Sequence, residues 1–251
     1  MAAQHRPNAD RGNALPHATE QDHPQGAAMR GTLRALVTGA AVVAALLAAS
    51  GGVTAAPSPS AGTGGEIRGG DAFLVDTGRC VVGFTVTEGF VATSRCGPVG
   101  GEVRTTGGEL VGVVRGSTYP VPGGAWVETT DAWTLSPSVG RAGGGTPVLG
   151  STLVPVGGAV CATTSTSGWR CGNVLAHDQS VAFPEGTVSG LTRTTLCSDR
   201  DRDEGTPVVS GNQAQGMLLL ASGPCPGGGG SDHVLPVNPL LAAWGLTLRT
   251  A

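Results

Sequence analysis

Cys161-Ala-Thr-Thr-Ser-Thr-Ser-Gly-Trp-Arg-Cys171-Gly172 is the segment that decides the fold of this 251-residue chain. Around it, short runs of Val, Thr and Leu alternate with Gly-Gly, Pro-Gly and Ser-Gly pairs, and aromatic residues are few. Such pairs mark turns, and β-branched residues favour strands. A helical period occurs only in Asn238-Pro239-Leu240-Leu241-Ala242-Ala243-Trp244. The sequence therefore predicts an all-β fold with many turns and a short C-terminal helix.

The N-terminal region is expected to lie outside the folded domain. Two arginines precede an apolar run from Ala35 to Ala49, and small residues continue to Ala56, as in a secretory signal peptide. A membrane anchor is the alternative, but the run is shorter than the roughly 20 apolar residues of a spanning helix. Residues 1–28 are either a misassigned extension upstream of a true start at Met29 or a cytoplasmic tail on an uncleaved anchor. We assign residues 29–56 to the signal peptide, 57–65 to a linker and 66–251 to the domain.

Composition limits the classes of partner. The chain has a net charge of −3 with scattered arginines, which argues against a nucleic-acid or anionic-membrane surface. Its six cysteines, an even number in an exported chain, indicate disulfides rather than zinc, because no CxxC pair is present. Spacing alone does not choose among the pairings. We expect a secreted monomer with no metal, no cofactor and no membrane contact after signal cleavage.

The quoted segment resembles the second half of streptogrisins and α-lytic-type endopeptidases, which are secreted bacterial proteases of the chymotrypsin type (peptidase S1). Further matches are Phe183-Pro184-Glu185-Gly186-Thr187-Val188, residues 192–197, 211–216 and 243–250, and upstream residues 67–71 and 77–80. The resemblance covers about residues 66–250. It implies two antiparallel Greek-key β-barrels, about 66–150 and 151–251, with the site in the cleft between them.

The same resemblance implies how the cysteines pair. The expected bridges are Cys80–Cys96, Cys161–Cys171 and Cys197–Cys225. Each would stabilise the fold by roughly 2–4 kcal/mol, chiefly by restricting the unfolded chain.

All three positions of the family's Ser-His-Asp triad are altered. Phe90-Val91-Ala92-Thr93-Ser94-Arg95-Cys96-Gly97 matches the histidine segment with Arg95 in place of histidine. A guanidinium stays protonated and has no acceptor lone pair, so it cannot serve as the base. The frame from Tyr119 to Val127 places Gly123 at the aspartate. The nucleophile loop is one residue longer than in the family, so Glu204 or Asp203 stands at the serine.

Two further features of the family's site are changed. Arg202 replaces the glycine before the loop's aspartate, which puts the oxyanion-hole N–H pair in doubt. Leu219, Leu220 and Ala221 replace a Ser-Gly-Gly segment, and the leucines are expected to fill the specificity pocket.

The acidic loop allows three interpretations. Asp199, Asp201 and Asp203 resemble a calcium loop, but Ser210 stands where such a loop needs glutamate. A solvated, self-pairing charged turn is the simplest interpretation. If Glu204 instead occupies the nucleophile position, the resemblance places it opposite Arg95 in an ion pair. The loss of aspartate at Gly123 would then make space for the arginine.

No second triad is suggested. His177 and His233 are the only histidines after the signal peptide, and both are expected to be exposed loop residues rather than a relocated base. The leading interpretation is a secreted serine-protease homologue without its triad, a protein-binding or decoy module with an unknown protein or peptide partner. An active S1 endopeptidase and a purely structural extracellular domain are the alternatives.

Overall fold

The structure is a computed structural model that describes residues 64–140, 145–165, 168–199, 201–222 and 230–251. The predicted extension and signal peptide, and most of the linker, lie outside these ranges. In chain order the strands are β1 (Glu66–Gly69), β2 (Ala72–Val75), β3 (Gly78–Val81), β4 (Phe84–Val86), β5 (Gly89–Thr93), β6 (Glu102–Arg104), β7 (Leu110–Ser117), β8 (Gly124–Thr129), β9 (Thr134–Val139), β10 (Thr146–Pro147), β11 (Ala159–Thr164), β12 (Gly168–Phe183), β13 (Gly186–Thr194), β14 (Pro207–Ser210), β15 (Gln213–Ser222) and β16 (Ser231–Pro236).

Two antiparallel strand systems make up most of the domain. The first is a seven-stranded sheet in the order β3-β2-β6-β7-β8-β5-β4, and the second is a closed barrel in the order β11-β12-β13-β16-β15-β14. Along β11 the side chains of Val160, Ala162 and Thr164 are buried while those between them are more exposed. This alternation is what a strand with one face on a core requires. The predicted all-β class is confirmed.

A small third sheet was not predicted. It has the order β1-β9-β10, and β1 pairs with β9 in parallel. Thr134 aligns with Glu66 and Leu135 with Ile67, so the sheet fixes the start of the domain against its middle.

Buried apolar side chains form three clusters. One lies against the seven-stranded sheet, and another fills the interior of the closed barrel. The third contains residues of both systems, among them Phe84, Val91, Met217 and Leu219. This shared core joins β4 and β5 to β15.

The C-terminal helix, α1 (Val237–Trp244), confirms the prediction from its sequence period. Pro239 is tolerated in its first turn, where backbone N–H groups have no partner within the helix. Gly245 ends the helix at φ 62°, a left-handed conformation that glycine adopts without steric cost. No helix within the described ranges is long and apolar enough for a membrane span.

Disulfides connect the elements as the resemblance implies, as far as they are described. Cys80 of β3 is bonded to Cys96, and Cys161 of β11 to Cys171 of β12. Cys197 is also disulfide-bonded, and its expected partner, Cys225, lies outside the described residues.

Candidate functional site

Arg95 lies in a single 3₁₀ turn, Ser94–Cys96, that directly follows β5. The Cys80–Cys96 disulfide ties this turn to β3. The Thr77 hydroxyl donates a hydrogen bond of 2.6 Å to the Arg95 carbonyl oxygen. The backbone of Arg95 is therefore held from two sides, while 54% of its side chain is exposed. The guanidinium is presented to the cleft between the two strand systems.

Gly123 lies beside this turn, immediately before β8. Its carbonyl oxygen accepts a hydrogen bond of 2.8 Å from the Ser94 N–H. A Cβ added at Gly123 would lie 2.5 Å from the Thr118 hydroxyl oxygen, and the nearest atoms around it all belong to Thr118. Thr118 therefore lies where the first side-chain atom of an aspartate would stand, and the expectation that loss of the aspartate makes space for Arg95 stays a prediction.

Asp199 accepts hydrogen bonds from the backbone of the loop in which the resemblance places the family's nucleophile. Its carboxylate accepts hydrogen bonds from the N–H groups of Asp201 at 3.1 Å and Arg202 at 3.2 Å. Arg202 is the residue that the resemblance places at the glycine before the loop's aspartate, and its N–H is engaged within the loop by this bond.

Asp203 and Glu204 point to different surroundings. Asp203 is only 2% exposed, and its two carboxylate oxygens accept hydrogen bonds from the N–H groups of Ser165 at 2.6 Å and Asp199 at 2.8 Å. These bonds compensate the burial of its charge. Asp203 is thus an internal anchor for the loop, whereas Glu204 faces Arg95.

The Arg95 guanidinium and the Glu204 carboxylate form an ion pair of 3.1 Å between Nη1 and Oε2. Only 18% of the Glu204 side chain is exposed. Burial raises the pKa of Glu204 above its ordinary value, and the neighbouring charge of Arg95 opposes that increase. Since Arg95 is largely in solvent, we expect the pair to stabilise the fold by about 1 kcal/mol or less.

A cavity of about 480 Å³ lies in front of the ion pair. Its wall includes Arg95 and Glu204 together with aromatic, acidic and apolar side chains: Tyr119, Phe183, Glu185, Asp201, Leu219 and Leu220. Leu219 belongs to the shared core, Leu220 is half-buried, and Ala221 is 8% exposed. Leu219 and Leu220, two of the three residues that the resemblance places at Ser-Gly-Gly, thus give this side of the cleft an apolar wall, while Ala221 does not line it.

Both histidines differ from the sequence prediction, because each lies in a strand rather than in an exposed loop. His177, in β12, is half-buried, and its ring nitrogens lie 3.0 Å from the Thr192 hydroxyl and 3.0 Å from the Val154 carbonyl oxygen. His233, in β16, has a buried Nδ1 without a hydrogen-bond partner among the described residues. Neither lines the cavity beside Arg95.

Asp232 is an anchor that sequence reasoning missed. It is 1% exposed, and its carboxylate accepts hydrogen bonds from the Cys197 N–H, the Ser198 N–H at 3.1 Å and the Ser198 hydroxyl at 2.5 Å. Cys197 adopts a φ of 62°, which is unfavourable for a residue with a Cβ. Asp232 therefore holds the start of the nucleophile loop in a conformation that it would not adopt alone.

The aspartates of the loop do not form a cation site. Among the described residues, no group of three or more His, Cys, Asp or Glu side chains could hold a metal ion. The carboxylates of Asp199 and Asp203 accept backbone hydrogen bonds instead, which agrees with a self-pairing turn, although Asp203 is buried rather than solvated.

Known proteins resemble this chain in sequence and in fold. Streptogrisin-C from Streptomyces griseus is 44% identical over 192 residues, which are 74% of this chain and 42% of that protein. Glutamyl endopeptidase 2 from the same organism is 31% identical over 188 residues, 72% of this chain and 99% of that protein. The chain belongs to the S1 family of chymotrypsin-fold bacterial serine proteases. The crystal structure of Cellulomonas bogoriensis chymotrypsin matches at 40% identity and a TM-score of 0.64, covering 74% of this chain and all of that one.

No protein-family model matches the chain. The S1 relationship extends over both strand systems, since the matched length is close to that of the predicted domain. The chain spans less than half the length of streptogrisin-C. The resemblance expected from the segment around Cys161 and Cys171 is confirmed.

Proposed function

We propose that this S1-family chain is a non-catalytic homologue that acts outside the cell as a protein- or peptide-binding module. The observation that carries the proposal is the 3.1 Å ion pair between Arg95 and Glu204, the residues that we place at the base and nucleophile positions. A serine protease needs a neutral imidazole to take the proton of a serine hydroxyl. A guanidinium and a carboxylate in contact supply neither group.

The electrostatics of the surrounding loop support the same conclusion. An oxyanion hole needs preorganised donors directed at the developing negative charge. The Arg202 N–H instead donates to Asp199, and the carboxylate of Glu204 adds a negative charge to the lining of the cleft in which the new charge would develop. Repulsion between the two would raise the barrier for any acyl transfer in this cleft.

The surroundings of the two histidines do not support a role for either as a relocated catalytic base. Both ring nitrogens of His177 lie within hydrogen-bonding distance of protein oxygens. His233 pairs across the sheet with Arg193, and the two strands around it continue the closed barrel. Neither histidine shares a cavity with a serine beside the Arg95 turn.

The remaining cleft is suited to binding. It keeps a volume of about 480 Å³ and presents Tyr119, which is 44% exposed, beside Phe183 and Leu220. Concave, largely apolar surfaces with a few polar groups are the usual form of a binding site. Disulfides persist in oxidising compartments, which supports secretion.

Labelling with a serine-reactive fluorophosphonate tests the loss of catalysis. The secreted protein is compared with Cellulomonas bogoriensis chymotrypsin as the positive control. It is also compared with a variant that combines Arg95→His, Gly123→Asp and Glu204→Ser with Thr118→Ala, because Thr118 fills the space beside Gly123. We expect no labelling of the natural chain. Specific labelling of it would overturn the proposal and would require a nucleophile elsewhere.

Binding is tested with a displayed library of random peptides selected on the intact protein. We expect enriched sequences whose binding is weakened at least about tenfold by Tyr119→Ala, which corresponds to about 1.4 kcal/mol. Leu153→Ala, at an exposed apolar residue that does not line the cleft, is the matched control. If Tyr119→Ala leaves all selected peptides unaffected, the cleft is not the binding surface.

A further inference from the structure

A second cavity, of about 230 Å³, lies between the two strand systems and shares no lining residue with the cleft. Asp71, between β1 and β2, and Arg79, in β3, line it from one side, and the barrel contributes Thr163 and Trp169. Arg202 borders it from the acidic loop. The loop thus turns Asp201 and Glu204 to the cleft and Arg202 to the second cavity.

Trp169 is the apolar surface of this cavity. It is 50% exposed, although burying an indole is usually favourable. It pairs across the β11–β12 hairpin with Thr163, so both side chains stand on the same face of the sheet. Its Nε1 donates no hydrogen bond within the part of the chain that the structure describes. An exposed ring with an unused donor offers a stacking surface with a polar edge.

The polar groups around Trp169 include both a hydrogen-bond acceptor and hydrogen-bond donors that have no partner among the described residues. Asp71 is half-buried, and its Oδ2 accepts a hydrogen bond of 2.9 Å from the Arg68 N–H, while its Oδ1 has no partner among the described residues. Burial raises the pKa of Asp71, as expected for a carboxylate with too few donors. Arg79 donates through Nη2 to the Arg202 carbonyl oxygen at 2.7 Å. The guanidinium of Arg202 has no hydrogen-bond partner within the described ranges.

The balance of charge selects among ligand classes. Two guanidinium groups lie around the cavity with two carboxylates, those of Asp71 and Asp203. An anion would be repelled by Asp71 and a cation by the arginines. A neutral molecule that both donates and accepts hydrogen bonds, and that has an apolar face for Trp169, matches this lining.

We propose that this cavity binds one ring of a neutral saccharide, with the sugar face on Trp169 and its hydroxyl groups bonded to Asp71 and Arg202. A pyranose ring has one C–H face that stacks on an aromatic side chain, and adjacent hydroxyls that pair with planar carboxylate and guanidinium groups. The site is separate from the cleft, so it does not depend on whether the cleft binds peptides.

Saturation-transfer NMR and isothermal titration of the full-length secreted protein test the site, with cellotriose and triacetylchitotriose as probes. For a contact of one ring we expect a Kd of about 1 mM. Trp169→Ala and Asp71→Ala should each weaken binding at least about tenfold. Tyr119→Ala, which removes an exposed aromatic ring from the other cavity, should leave the Kd unchanged.

Three outcomes would overturn the proposal. The first is the absence of saturable binding of either trisaccharide by the folded protein. The second is binding that Trp169→Ala leaves intact, which would place the sugar elsewhere. The third is displacement of the sugar by inorganic phosphate at low concentration, which would identify an anion site. Arg202→Gln, at an exposed side chain, provides a second variant if Asp71→Ala fails to fold.

Discussion

The guanidinium of Arg95 and the carboxylate of Glu204 meet at 3.1 Å, but they differ in burial, with 54% of the arginine and 18% of the glutamate side chain exposed. The carboxylate therefore bears most of the desolvation cost, which is why its pKa is raised even beside a cation. The arginine reduces this cost, so the two residues are not equivalent in their effect on stability.

Arg95→Ala should therefore destabilise the protein more than Glu204→Gln. Removing the arginine leaves a buried, unpaired carboxylate and should cost about 1 kcal/mol at pH 7, while Glu204→Gln should stay within about 0.5 kcal/mol of the natural chain. Chemical denaturation of both variants measures the difference. A larger loss of stability in Glu204→Gln than in Arg95→Ala would show that the attraction within the ion pair, and not the burial of the Glu204 charge, dominates the stability effect.

The same variants have a predicted pH dependence. A carboxyl whose pKa is raised in the folded state binds its proton more tightly when folded, so the free energy of unfolding increases as pH falls through that pKa. The cost of Arg95→Ala should therefore shrink as pH is lowered toward 4.5, the ordinary pKa of Glu204. The denaturation midpoints of Arg95→Ala and the natural chain should converge. Combining Arg95→Ala with Glu204→Gln should remove the effect.

The sequence predicted the strand class because strands and turns depend on local pattern, and the assignment of Arg95 to the family's histidine position stays a prediction from the same kind of pattern. Cys96 directly follows Arg95, so the cysteine marks this segment in the sequence, and it forms the disulfide with Cys80. The placement of Thr118 beside Gly123 was missed, because it depends on how the loop before β8 closes on itself. No residue type or spacing in the sequence predicts that Thr118 lies against Gly123.

The other missed features depend on contacts between distant parts of the chain. Asp232 reaches back 34 residues to Ser198, and only the pairing of β13 with β16 brings them together. The strand positions of His177 and His233 were also missed, because polar residues on the half-buried face of a barrel strand resemble a turn in the sequence. Local pattern therefore predicted the strand class, the C-terminal helix and the described disulfides, but not the contacts that support the acidic loop.

Gly123→Asp alone should be destabilising, because its Cβ would lie 2.5 Å from the Thr118 hydroxyl oxygen. Overpacking of this kind costs about 1–3 kcal/mol. Adding Thr118→Ala should restore part of the loss, although the alanine Cβ remains 3.3 Å away. Gly107→Asp is the control, since a Cβ there meets its nearest atom at 3.6 Å. Equal melting temperatures for Gly123→Asp and Gly107→Asp would contradict the steric argument.

Asp232→Asn should loosen the nucleophile loop. One carboxylate oxygen that accepts from Ser198 or Cys197 would become an amide N–H₂, so a buried donor would face another donor. Charged hydrogen bonds contribute about 1.5–3 kcal/mol each, and we expect a loss of about 2 kcal/mol. Amide hydrogen exchange should be faster at Ser198. Asp201→Asn, at an exposed residue of the same loop, should have little effect, and similar losses in both variants would refute a specific anchor.

His233 should make the protein less stable in mild acid. Burial lowers its pKa below the ordinary 6.5, the positive charge of Arg193 on the neighbouring strand lowers it further, and Asp232 opposes both. Below pH 6.5 the unfolded chain then binds a proton that the folded chain does not, so the free energy of unfolding falls with pH until the folded-state pKa is passed. Partial exposure keeps the effect below about 1 kcal/mol.

His233→Leu should remove this acid-dependent loss and also eliminate the unpaired Nδ1, because the leucine has no buried polar atom to satisfy. Leu220, which faces His233 from β15, carries no charge. The charges that act on the imidazole are therefore Arg193 on β13 and Asp232 on β16 itself. Arg193→Gln should therefore raise the pKa of His233 and reduce the slope without abolishing it. Urea denaturation between pH 5 and 8 (a range of about three units around the histidine pKa) distinguishes the variants. An unchanged slope in His233→Leu would assign the acid sensitivity to another group.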